Sequence, residues 1–165
     1  MENCLRALKL IEFLAAAGVV GATLTFIGQA LTGWRQRRRE RHGLLKILRV
    51  EVDQNLFQAQ FFMKHPEALR NTFIPGWEST VWKENAARIA QLIQESDFEA
   101  LASCYALTKV AQTDRAALLA TLAEEAENAD REKDAAALMN NLQQRTLPRM
   151  DSASNNAMSV INKRL

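Results

Sequence analysis

Apolar residues follow two regimes along this chain. From Phe13 to Trp34 they form one run of 22 residues without a charge, FLAAAGVVGATLTFIGQALTGW, and the basic segment RQRRRER follows at once. Beyond it they recur every three or four positions, the spacing of helices with one buried face. No run of any length alternates with the period of two that marks a strand. The pattern therefore predicts an all-α protein. At about 1.5 Å per residue the uncharged run can cross a hydrocarbon core of about 30 Å, so it reads as a single N-terminal transmembrane helix.

The same periodicity predicts the remaining elements. Residues 1–12 carry a stripe of Leu5, Leu8 and Ile11 and form a short extracytoplasmic start to the helix. After the span only Gly43 interrupts a helical pattern that runs to about Lys64, so the membrane helix is expected to continue into the next domain as one rod. Leu44, Ile47, Leu48 and Val52 mark the buried face there, extended by Leu56 and Phe57. Pro66 and Pro75-Gly76 bound a loop with a turn of helix inside it. A second helix is expected from about Ser79 to Glu95, with Val81, Ala86, Ile89, Leu92 and Ile93 on its apolar face. Ser96-Asp97-Phe98-Glu99 has the form of a capping box and opens a long third helix, with an irregularity expected near Gln112-Thr113-Asp114. The polar stretch Glu124 to Asp134 is either an exposed helical segment or an elbow. A fourth helix covers about Lys133 to Arg145, and a last one follows Pro148 and ends near Lys163. The aromatics Phe57, Phe61, Phe62, Phe73, Trp77, Trp82, Phe98 and Tyr105 are expected to form one cluster that locks the loop and the second and third helices to the first. The resulting plan is a terminus over 1–12, a span over 13–34, a basic juxtamembrane segment over 35–42 and a cytoplasmic helical bundle over 43–165.

The span divides by residue size. At about 100° per position, Gly18, Gly21, Ala22, Thr25, Gly28, Gln29 and Thr32 share one arc, while Val19, Val20, Leu24, Phe26, Ile27, Leu31 and Trp34 fill the rest. Lipid gives a lone helix no reason to segregate small from large side chains. Helix–helix packing does, because small residues let backbones approach and Thr or Gln can bond across the contact. With one span per chain, the partner is a second copy or another protein.

Charge fixes orientation. The formal net charge is +2, so no overall field points to nucleic acid, but five of the 21 Lys and Arg residues are Arg35, Arg37, Arg38, Arg39 and Arg41. Only Arg6 and Lys9 precede the span. The positive-inside bias places the following domain in the cytoplasm, at the inner membrane, with the Arg cluster on lipid head groups. Glu12 interrupts the apolar run and the n-region is of mixed charge, which argues for an uncleaved anchor over a signal peptide. Two cysteines, Cys4 and Cys104, fall on opposite sides of the membrane in this plan and do not pair.

Chemistry is sparse. With two His and two Cys dispersed along the chain, no metal site is expected, and no cofactor fingerprint is present. Arg37 and His42 have the R-x4-H spacing of HEPN ribonucleases, but within RQRRRERH nearly any offset finds an Arg. His65 reads as a surface or capping residue. Glu51, Asp53 and Asn55 are scattered along one helix, and Glu51 and Asn55 share a face from which both can hydrogen-bond a neighbouring helix or a second subunit. No catalytic constellation emerges, so a non-enzymatic role is expected.

The layout of one span, a basic stop, an LLKILRVEVDQN helix and a later DFEALASCYALTK helix resembles small bacterial single-pass membrane proteins. More loosely, it resembles the membrane accessory proteins encoded beside RNA-targeting CRISPR effectors. That resemblance implies a homo-oligomeric effector that forms a pore or perturbs the membrane in antiviral defence. The alternative reading is a membrane-tethered adaptor whose helical domain recruits a cytoplasmic partner.

Overall fold

The computed structural model describes the backbone of residues 2–123 and 129–165 and the side chains of residues 26, 28–123 and 131–165. Every regular element among the described residues is helical. α1 spans Glu2–Lys64, α2 Thr80–Leu92, α3 Glu95–Ala123, α4 Ala129–Asn141 and α5 Leu147–Arg164. A 3-10 turn, Pro66–Arg70, lies between α1 and α2, and a π-helical segment, Leu142–Thr146, joins α4 to α5. The chain divides into two compact units, Met1–Glu40 and Arg41–Leu165.

In the first unit the expected span Phe13–Trp34 is helical throughout, but the side chains of residues 13–25 and 27 lie outside the described residues. Among the described residues no helix is long and apolar enough to cross a membrane. Phe26, Leu31 and Trp34 are exposed, at 73%, 50% and 58%.

The second unit has two apolar clusters, and α1, α3 and α5 each contribute to both. One cluster gathers Leu45, Leu48 and Val52 of α1, Ile89 of α2, Leu101 and Tyr105 of α3, and Ala157 and Ile161 of α5. The other gathers Ala59 and Phe62 of α1, Ala111 and Leu118 of α3, and Leu147 and Met150 of α5, with Leu69, Trp77, Ala135 and Leu142 closing it. Residue numbers rise together in α1 and α3 and oppose each other in α5. α1 and α3 therefore run parallel and α5 runs antiparallel to them. Between the clusters each helix contributes one fully buried polar residue, Asn55, Thr108 and Ser154. Each is satisfied nearby: Asn55 on Glu78, Thr108 Oγ1 on the Cys104 carbonyl at 3.0 Å, and Ser154 Oγ against Cys104 Sγ at 3.5 Å.

Three expectations are corrected. The buried stripe of α1 is Leu45, Leu48, Val52, Asn55, Ala59 and Phe62, whereas Ile47 and Phe57 are exposed at 53% and 70%. α1 carries two apolar stripes about 150° apart, and spacing alone does not say which one meets the bundle. The aromatics do not form one cluster. Phe62 meets Trp77 edge-on at 5.3 Å in one core region, Trp82 stacks between Phe98 and Tyr105 in the other, and Phe73 is 92% exposed. α3 is unbroken through Gln112-Thr113-Asp114: Thr113 Oγ1 donates back to the Lys109 carbonyl at 3.0 Å, and the polar groups on either side of it bond outward. Gln112 Nε2 donates to the Trp77 carbonyl, and Asp114 accepts from Thr146 Oγ1 at 3.0 Å.

Helix boundaries carry their own chemistry. α3 begins one residue before the expected capping box, with the Gln94 carbonyl receiving the Phe98 amide at 2.9 Å. Asp97 is instead paired with Arg164 Nε at 2.7 Å. The first five residues of the polar stretch, 124–128, lie outside the described residues, and α4 starts at Ala129. Pro148 does not end a helix. Proline has no N–H for the carbonyl four residues back. The chain takes up the irregularity one turn earlier, where the Leu147 amide donates to the Leu142 carbonyl in π register.

Replacing Phe62 by Ala removes a ring packed on Trp77 and fully buried, and should cost about 3–5 kcal/mol. Phe57→Ala on the opposite stripe should change stability by less than about 0.5 kcal/mol. Urea unfolding followed by circular dichroism separates the two.

Candidate functional site

Three buried polar side chains of the second unit, Glu51, Asn55 and Arg115, are directed at main chain. α2 starts after Ser79, whose own hydroxyl caps nothing. Its N-terminal amides are met by Glu51 of α1, which accepts from Val81 N at 2.9 Å and from Trp82 N at 3.3 Å. A carboxylate there satisfies two otherwise unpaired donors and complements the positive end of the helix, a contribution of about 1–2 kcal/mol. One turn along α1, Asn55 grips Glu78 from both sides: its Nδ2 donates to the Glu78 carbonyl at 2.6 Å and its Oδ1 accepts the Glu78 amide at 2.7 Å. Of the pair expected to bond a neighbouring helix or a second subunit, Glu51 bonds α2 and Asn55 the residue just before it, while Asp53 between them is exposed.

A second anchor was not anticipated. Arg115 of α3 is buried and donates to three carbonyls of the 65–79 connector: Leu69 at 3.4 Å, Asn71 at 2.8 Å and Ile74 at 2.9 Å. Its guanidinium carbon lies 5.0 Å from the centre of the Phe62 ring. Burial lowers its pKa, but a guanidinium starts too high to lose its proton. The sequence did hold a signal for it. Leu101, Thr108, Ala111, Arg115 and Leu118 follow one helical stripe, and a charge within such a stripe needs several acceptors.

Tyr105 and Cys104 are the titratable groups most affected by the core. Burial, and then the neighbouring Glu51 carboxylate, push the Tyr105 phenol far above its usual range. No hydrogen bond of normal geometry reaches its hydroxyl. Burial likewise raises the Cys104 thiol, against the opposing bond from Ser154. Both are interior groups packed among apolar side chains.

Surface features lie beside the outward stripe of α1. One groove of about 420 Å³ is lined by Lys46, Ile47, Val50, Glu51, Glu78 and Val81. A second, of about 740 Å³, is lined by Asp53, Phe57, Phe61, Ile74, Pro75 and Glu78. Both are open and mostly apolar.

Of the residues assigned from sequence to the span's small face, Gly18, Gly21, Ala22 and Thr25 lie outside the described side chains. Gly28, Gln29 and Thr32 are exposed. A Cβ added at Gly28 would meet nothing within 4 Å. Thr32 Oγ1 donates back to its own helix, at 3.0 Å to the Gly28 carbonyl and 2.9 Å to that of Gln29. Arg35, Arg37, Arg38 and Arg39 are exposed, and Arg38 sits over the Trp34 ring at 5.7 Å. Arg41 is half-buried, and its Nε has no hydrogen-bond partner. His42 is half-buried, and His65 is a surface residue against Phe61 and 3.5 Å from Glu67. Among the described residues no three His, Cys, Asp or Glu side chains converge as a metal site.

The raised pKa values set a direction for alkaline stability. The folded state keeps both protons, whereas the unfolded chain releases them near the ordinary values of 9.0 for Cys104 and 10.0 for Tyr105. Each proton released only on unfolding favours the unfolded state. Stability is therefore complete below about pH 9 and falls above it, by up to about 1.4 kcal/mol per pH unit for each group. Tyr105→Phe should flatten the slope above about pH 10, read from urea midpoints across about pH 8 to 11.

Comparison of the chain with protein-family models, with curated proteins and with solved structures finds no match.

Proposed function

We propose that this chain is a single-pass inner-membrane protein that self-associates through the small face of its span and acts on the bilayer as a pore or perturbing assembly. The observation that carries this reading is an uncharged run of 22 residues lying inside one helix, α1, and closed by five arginines. Its described part suits lipid. Phe26 and Leu31 are apolar and uncovered, and Trp34 with Arg38 over its ring has the character of an interfacial anchor. The Thr32 hydroxyl satisfies itself on carbonyls of its own helix, so it is compatible with a lipid surrounding. Gly28 costs a helix interior about 1 kcal/mol relative to Ala. Among the described residues nothing uses its missing side chain, whereas a second helix packed close against it would. Residues from Arg41 onward then lie in the cytoplasm, and the Arg cluster contacts anionic head groups. The likeness of layout to CRISPR-linked membrane accessory proteins extends the reading to antiviral defence.

The adaptor alternative has one feature in its favour, the almost fully exposed Phe73 in the connector. An adaptor leaves the bilayer intact, so dye entry into expressing cells separates the two readings.

The chain should stay in the membrane fraction through alkaline carbonate extraction; release into the supernatant would remove the anchor. Changing Arg35, Arg37, Arg38, Arg39 and Arg41 to Gln should give mixed or inverted insertion, read by a reporter fused after Leu165.

Gly21→Leu places a side chain where two backbones meet and should weaken self-association at least about tenfold. Val20→Leu, on the lipid side, should be silent. Gln29→Leu should reduce permeation while the particle mass stays unchanged. Particle mass in detergent and dye entry report all three, and equal behaviour of Gly21→Leu and Val20→Leu would remove the small face as the contact.

A further inference from the structure

The outward stripe of α1 has a pattern that neither the bundle nor the proposed span uses. Ile47, Val50, Gln54, Phe57 and Phe61 follow one another at intervals of three, four, three and four, the a and d positions of a two-heptad seam. Ile47, Val50 and Phe57 are exposed at 53%, 60% and 70%, Gln54 is exposed and Phe61 is half-buried. The buried stripe of the same helix already supplies the core; Phe61 packs against it from the side, whereas Ile47, Val50 and Phe57 are surplus to the fold.

We propose that this stripe pairs two copies of the chain, with their α1 helices parallel and in register. The charge pattern selects this occupant. A two-fold contact places each residue of the seam near its own copy, so a charge there would repel itself. The seam holds none. Its single polar member, Gln54, carries both a donor and an acceptor and can bond its counterpart, the way one amide at an a position sets register. Charges stand at the flanks instead. Glu51 at an e position is spent on the α2 amides, which leaves Lys46 and Asp53, both at g positions, as the exposed charges beside the seam. An anionic bilayer surface is a poor occupant, because Asp53 and Glu78 border the same grooves.

The parallel direction rests on the single-pass reading above: copies anchored in one membrane present α1 with the same polarity. Two heptads are too few to associate strongly in water, but joint anchoring raises the effective concentration to about millimolar. A two-fold contact closes at two copies, so this seam yields dimers whatever the span assembles.

The test is disulfide trapping in the full-length chain in native membranes, with Cys4→Ser as background and buried Cys104 retained. Val50→Cys and Phe57→Cys occupy d positions; Arg49→Cys is exposed on the same helix, about 120° away. On oxidation with copper phenanthroline, the first two should give a disulfide dimer at least about tenfold more abundant than Arg49→Cys gives. Adding Gln54→Glu sets like charges face to face and should lower the Val50→Cys yield about tenfold, with the circular dichroism unchanged. Equal yields at all three positions, no dimer at the d positions, or trapping of a different protein there would each overturn the pairing. Carbonate extraction of the same samples keeps the two proposals apart. A chain retained in the membrane without d-position dimers loses the pairing alone. A chain released by carbonate that still forms them loses only the anchor.

Discussion

Two parallel helices in one bundle need a return path, and in this protein the return is held by side chains buried under it. α1 and α3 run the same way, so the chain must travel back along α1 before α3 begins. The connector 65–79 and α2 make that journey, and apart from the 3-10 turn Pro66–Arg70 the connector is irregular. Asn55 holds the Glu78 peptide by both its polar groups, Glu51 caps α2, and Arg115 collects three carbonyls in between. Main-chain groups in this segment satisfy one another only in part, and burying the rest unpaired costs more than the bonds themselves are worth. The three polar side chains therefore decide where the connector lies, and so how α2 and α3 approach α1.

This arrangement explains why the interior is not uniformly apolar. Asn55, Thr108 and Ser154 sit between two greasy clusters, one from each long helix. A helix sliding by one turn would move its polar residue into an apolar cluster and leave it without a partner. The layer costs some hydrophobic contact and in return fixes the relative register of α1, α3 and α5, the role best documented for single buried amides.

The all-helical class and the rough position of each helix could be read from periodicity, because each long helix buries one stripe with the expected spacing. The readings that missed share a cause. Spacing finds stripes but does not rank them, and α1 has two, so Ile47 and Phe57 were assigned to the wrong side. Capping by a distant residue leaves no local signature: nothing near Ser79 announces that Glu51 will serve α2, and the box expected at Ser96 falls inside α3, which already starts at Glu95. Arg115 was visible as a charge inside an apolar stripe, yet its acceptors come from a loop more than 40 residues away. The last helix, expected to follow Pro148, begins one residue before it, and the π turn that joins it to α4 has no signature in the spacing.

Order of synthesis adds one consequence of the two-cluster core. Leu45 and Leu48 emerge from the ribosome early, but Ala157 and Ile161, which complete their cluster, belong to the last helix. The first α1 stripe to be made thus stays only partly covered, by Ile89, Leu101 and Tyr105, until nearly the whole chain exists, with long-range contacts delaying closure further. During that interval neither stripe of α1 is fully covered. A nascent chain in this state has an unusually apolar helix and needs a holding surface, whether chaperone or membrane, before it has a core.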